Sequence, residues 1–128
     1  MFAGAIMVAP QYSRAFAGVA DCCSFLYMYW DRSEDNLNEA EAASRKALEL
    51  DPELAEAHAA SGLAFALKKD FNHAQQEFEA AIRLDPKLYE AYYFYARTAF
   101  QSGDLVKAAE LYEQASKLNP DDNPRTSQ

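Results

Sequence analysis

Apolar and small residues recur at intervals of three and four along most of this chain, the spacing that gathers them on one face of a helix. Short polar turns at Lys68-Lys69-Asp70 and Ser102-Gly103-Asp104 interrupt the pattern. Three similar phrases close it: Leu48-Glu49-Leu50-Asp51-Pro52, Ile82-Arg83-Leu84-Asp85-Pro86 and Ser116-Lys117-Leu118-Asn119-Pro120. Their prolines stand 34 residues apart, and the same interval links Ala40, Ala74 and Ala108, then Ala47, Ala81 and Ala115. Each period therefore holds two helices. The second is predicted to begin behind Asn36, Asp70 or Asp104, short polar side chains that accept a bond from a first-turn N–H. It ends where proline forbids continuation. Glu41 with Arg45, Glu79 with Arg83 and Glu113 with Lys117 lie four apart and mark a solvated helix face.

The first period is irregular. Pro52 follows Pro10 by 42 residues, one period plus eight. Trp30-Asp31-Arg32-Ser33-Glu34-Asp35 is polar apart from its Trp, so the extra residues are predicted to form an enlarged loop near 29–36. Phe2 to Pro10 aligns with Phe78 to Pro86, which makes residues 1–10 the tail of a preceding unit. The organisation expected is that tail, a unit at 11–54, units at 55–88 and 89–122, and a disordered tail at 123–128.

These residues resemble the tetratricopeptide repeat, a 34-residue helix-turn-helix unit with small and aromatic residues at fixed offsets. The unit 55–88 supplies Gly62, Phe65, Ala74, Phe78, Ala81 and Pro86 at those offsets, and the unit 89–122 supplies Tyr92, Ala96, Ala108, Tyr112, Ala115 and Pro120. The resemblance implies an all-α right-handed solenoid of antiparallel helix pairs. Gly62 and Ala96 would let paired helices approach opposite Ala74 and Ala108, with Phe78 and Tyr112 filling the space toward the next unit. Tyr12 to Asp21 and Ala55 to Ala59 also resemble, loosely, repeat arrays attached to bacterial signalling proteins. In that reading the chain is a regulatory or oligomerisation part whose output domain lies elsewhere.

Composition adds limits. At 128 residues, 50% hydrophobic and 25% charged, the chain suits one globular domain. A net charge of −8 disfavours nucleic acid as a partner, because phosphate binding needs clustered cations. The uncharged start is too short to span a bilayer, so no membrane insertion is expected. Cys22 and Cys23 are adjacent, a spacing that suits neither a zinc pair nor a disulfide, and fits a reducing, cytoplasmic compartment.

No catalytic residue, metal site or cofactor is expected. His58 and Ser61 are three apart on one helix but lack an oxyanion donor set. His73 has no second ligand at metal spacing. Gly4, Gly18, Gly62 and Gly103 stand alone and form no phosphate loop.

The functional surface implied by the resemblance is the concave side, lined by the first helix of each unit. Its candidate peptide-binding residues are Arg14, Asp21, Leu63, Tyr93, Arg97, Phe100 and Gln101, with Ala17, Ser24, Glu56, Ala59, Ala66 and Glu90 on the same stripe. A short protein or peptide partner would lay apolar side chains on the aromatics and a carboxylate near Arg97. The clamp by which some family members hold acidic chaperone tails corresponds here to Ala17, Asp21, Ala60, Glu90 and Phe94, none of which matches. Homo-oligomerisation is expected through uncapped ends, at Tyr112, Leu111 and Ala115 on one side and at Phe2 and Ile6 on the other.

Overall fold

A computed structural model describes residues 2–118, with side chains from residue 12 onward. The described residues form six helices: α1 (Phe2–Tyr29), α2 (Glu34–Leu50), α3 (Ala55–Leu67), α4 (Phe71–Leu84), α5 (Tyr89–Ser102) and α6 (Leu105–Leu118). They pair as α1 with α2, α3 with α4 and α5 with α6, and each later pair packs its first helix on the pair before it. That is the all-α solenoid of helix pairs that the resemblance implies.

Alanine makes the stacking possible. Ala20, Ala40, Ala47, Ala57, Ala74, Ala81, Ala91 and Ala96 are completely buried, so helix axes approach with little side chain between them. Gly62 goes further than its expected role opposite Ala74. A Cβ on Gly62 would lie 2.9 Å from Cε1 of Phe78, so the ring occupies the space a side chain would need. Phe78 in turn stacks on Tyr95 of the next unit, with ring centres 5.5 Å apart. One period earlier the same two positions are Ser44 and Ser61, which line an open cavity of about 180 Å³ between α2 and α3. The aromatic pair thus seals one inter-unit joint and its serine counterpart leaves the other loose.

Two expectations about the first unit are corrected. Helix α1 runs unbroken through Pro10 and joins residues 2–10 to the unit that follows. A proline removes one backbone bond, and helix on both sides can carry the chain across it. The eight extra residues do not form an enlarged loop. Compared with α3 and α4, four of them lengthen the end of α1 (Leu26 to Tyr29), three lengthen the start of α2 (Glu34 to Asn36), and one enters the connection. The cause is a missed cap: Ser33, not Asn36, opens α2, and its hydroxyl accepts from the Asn36 N–H. Asp70 and Asp104 cap as expected, accepting from His73 and Lys107.

Of the three expected surface ion pairs, Glu41 with Arg45 forms at 2.9 Å, and Glu41 also meets Lys68. Glu79 turns instead toward the next unit, accepting from the Tyr95 hydroxyl at 2.7 Å and lying 3.6 Å from Lys107. His58 bridges elements, with Nδ1 2.7 Å from Glu77 and Nε2 2.7 Å from the Pro52 carbonyl. Two acceptors favour the doubly protonated ring, and the Glu77 bond above all raises its pKa. At the far end, Ala115 is buried and Leu111 packs on the core, leaving Tyr112 38% exposed. The Phe2 and Ile6 side chains and the predicted tail at 123–128 lie outside the described residues.

Just past the end of α3, Lys69 has φ 68°, the left-handed conformation that Gly103 adopts one period later at φ 96°. An L residue is strained there and glycine is not. Lys69→Gly is therefore expected to raise stability by about 1 kcal/mol, measured by urea unfolding; an unchanged midpoint would contradict it.

Candidate functional site

Helices α1, α3 and α5 stand side by side and share one face. Its floor is small or apolar: Ala17, Ala59, Leu63 and Ala66 are all buried, and Ser24 is buried with no hydrogen-bond partner for its hydroxyl. Charge divides this face into two ends.

At one end, Arg14, Asp21, Glu56 and Glu90 converge on an open depression of about 190 Å³. Glu56 and Glu90 stand in the first turns of α3 and α5, where a helix favours negative charge. Arg14 pairs with Glu56 at 3.1 Å. Asp21 has no such cation: burial, then the neighbouring Glu90, pushes its carboxyl up to about 7. Burial and Glu56 likewise raise Glu90.

At the other end, Leu63, Arg97 and Gln101 meet Met28 from the extra turn of α1. Arg97 Nη1 donates to the Tyr29 hydroxyl at 3.0 Å, across 68 residues of sequence. Its guanidinium lies 5.9 Å from the Tyr93 ring and 6.0 Å from the Phe94 ring. Phe25 reaches the same cluster, 5.9 Å from Phe94. Side chains from the C-terminal end of α1 therefore reach α5 of the third unit.

The structure groups Arg14 with Asp21, and Leu63 with Arg97 and Gln101. Tyr93 is half-buried and its ring contacts Tyr89, Phe94 and Tyr112. Phe100 stands 60% exposed, apart from both depressions. Sequence reasoning missed Tyr27, Met28, Tyr29, Arg32 and Lys69, and placed in a loop Tyr29, which is the last residue of α1. The available signal was Ser33, a capping residue placed directly before Glu34 and Asp35.

Among the described residues no three His, Cys, Asp or Glu side chains gather as metal ligands, and no helix is long and apolar enough to cross a membrane.

Stacked helix pairs with a shared, lined face define a helical-repeat solenoid of the kind that presents extended concave surfaces. The chain belongs to the tetratricopeptide repeat family, whose models match residues 65–127 and 32–54. No curated protein matches it in sequence. Among solved structures, the Arabidopsis OM64 TPR domain is similar with a TM-score of 0.71 at 18% identity, over 93% of this chain and 92% of that one. Pseudomonas aeruginosa pilF gives 0.71 at 23% identity, over 89% of this chain and 49% of its own length, so this chain spans about half of it. The second TPR of Spaghetti (RPAP3), bound to the HSP90 peptide SRMEEVD, gives 0.65 at 17% identity, over 87% and 98%. These likenesses show the fold.

Proposed function

We propose that this chain is a protein-interaction scaffold that holds an extended peptide, or a peptide-like segment of another protein, on the face shared by α1, α3 and α5. The observation that carries the reading is the layout of that face: a small-residue floor with carboxylates at one end and cations at the other. A backbone can lie close to alanines, while side chains at either end meet charge. The peptide held by RPAP3 supports a peptide as the class of ligand. It does not transfer as a sequence, because Asp21, Glu56 and Glu90 would repel an acidic segment laid over them. The partner expected at that end carries a Lys or Arg side chain.

The test is a synthetic dodecapeptide array probed with the purified chain. Bound peptides should be enriched in basic residues, and Leu63→Glu, which puts a charge on the floor, should lower their affinity at least tenfold. Equal binding by Leu63→Glu with an unchanged circular dichroism spectrum would move the site off this face.

A further inference from the structure

Arg32, Lys69 and Arg97 line a single depression of about 110 Å³ together with Tyr27, Tyr29 and Gln101. The chain carries a net charge of −8, yet none of these three cations has a carboxylate partner among the described residues. Arg14, Arg45, Lys46, Lys68 and Lys107 each hold one; Arg83, Lys87 and Lys117 form no ion pair among the described residues either, but they line no depression with Arg32, Lys69 and Arg97. Aromatic and hydroxyl groups position the guanidiniums instead: Arg32 lies 5.5 Å from the Tyr27 ring, and Arg97 is held by Tyr29. Neither contact neutralises charge. Glu34 lines an adjoining depression with Lys69 but forms no ion pair with it.

The backbone adds an independent observation. Lys69 keeps a side chain in a left-handed conformation where the next unit has Gly103, and retained strain of this kind points to a use for the side chain. Helix ends do not cancel the field. The C-termini of α1, α3 and α5 contribute at most about half a negative charge each, against three full positive charges.

We propose that this depression is an oxyanion subsite, taking a carboxylate or phosphate borne by a side chain of the peptide on the concave face. Arg32, Lys69 and Arg97 supply charged donors, and the Tyr29 hydroxyl and Gln101 amide supply neutral ones. The site rests on the peptide-binding reading above and specifies it further. With acids at the opposite end, it fixes the direction in which a peptide of mixed charge lies. It shares no residue with Ala17, Asp21, Ala60, Glu90 and Phe94, the positions of the chaperone-tail clamp. Three of its members, Tyr27, Tyr29 and Arg32, come from the insertion and its flank.

The experiment scans Glu, Gln or phosphoserine through each position of array-selected peptides and measures affinity by fluorescence anisotropy. At one or two positions Glu or phosphoserine should bind at least tenfold tighter than Gln. The Glu and phosphoserine arms show which oxyanion supplies the gain. In Arg32→Ser with Lys69→Gly that advantage should shrink below twofold while circular dichroism is unchanged; both positions are exposed, and Lys69→Gly relieves strain. Peptides that bind with no position preferring Glu or phosphoserine over Gln would overturn the subsite and leave the groove standing. So would an advantage that survives in the double variant. An array that binds nothing would overturn both.

Discussion

Phe78→Ala is expected to lower stability by about 4 kcal/mol, read as a shift of the urea midpoint. Phe78 is completely buried, stacked on Tyr95 and set against the bare backbone of Gly62. Truncation leaves a void that helices on either side cannot close without sliding, because α3, α4 and α5 all meet there. The complementary change overfills the same point. In Gly62→Ala the new methyl starts 2.9 Å from the ring, which costs about 1–3 kcal/mol. The two sites are in contact, so their effects should not add: Gly62→Ala should cost much less in a Phe78→Leu background. Strict additivity, or a loss under about 1 kcal/mol for Phe78→Ala, would mean that this joint does not hold the units together.

Asp21→Asn is expected to stabilise the chain, and to do so in one pH window only. Burial first, and Glu90 second, push the Asp21 carboxyl from an ordinary value near 4 up to about 7. Between those values the folded chain binds a proton that the unfolded chain releases, so stability falls as pH rises through the window. The full displacement corresponds to about 4 kcal/mol, and the access that water keeps to this open depression lowers the realised figure to about 2. Glu90, raised by burial and Glu56, contributes with the same sign, and Arg14 offsets little because it is engaged by Glu56. At pH 8 the Asn variant should therefore exceed the parent by about 2 kcal/mol, and at pH 4 the two should coincide. A gain that is flat between pH 4 and pH 8 would show that folding does not raise the Asp21 carboxyl at all. The same substitution should weaken basic peptides, because it removes a carboxylate from the end that would hold them.

Much of this architecture was legible before any coordinates. A period of 34 residues, carried by Ala40, Ala74 and Ala108 and by three closing prolines, specifies helix pairs that can bury their small faces only by stacking. The partnership of Phe78 with the following unit was legible too, because a large aromatic between alanine rows has nowhere else to go. Arg14 with Asp21, and Arg97 with Leu63 and Gln101, follow from helical spacing once the first helix of each unit is placed on one side.

What stayed illegible concerns the first unit. Polarity suggested a loop over all of 29–36, but Ser33 can cap a helix and Glu34 and Asp35 suit its first turn, so the connection shrinks to residues 30–33, with Tyr29 the last residue of α1. That choice carries Tyr29 across to Arg97, a contact between residues 68 apart that no local pattern encodes. Tyr93 takes a groove position by its place on α5, and only the structure shows that it also stacks on Tyr89 and meets Tyr112 edge-on while staying partly exposed. The sequence by itself determined the repeat and its two helices per period, because these depend on spacing along the chain, and its resemblance to the tetratricopeptide repeat implied the shared face. Only the tertiary structure decided where charge gathers on that face, because Glu90 raises Asp21, and Arg32 joins Lys69 and Arg97, through side chains that meet only after three units have stacked.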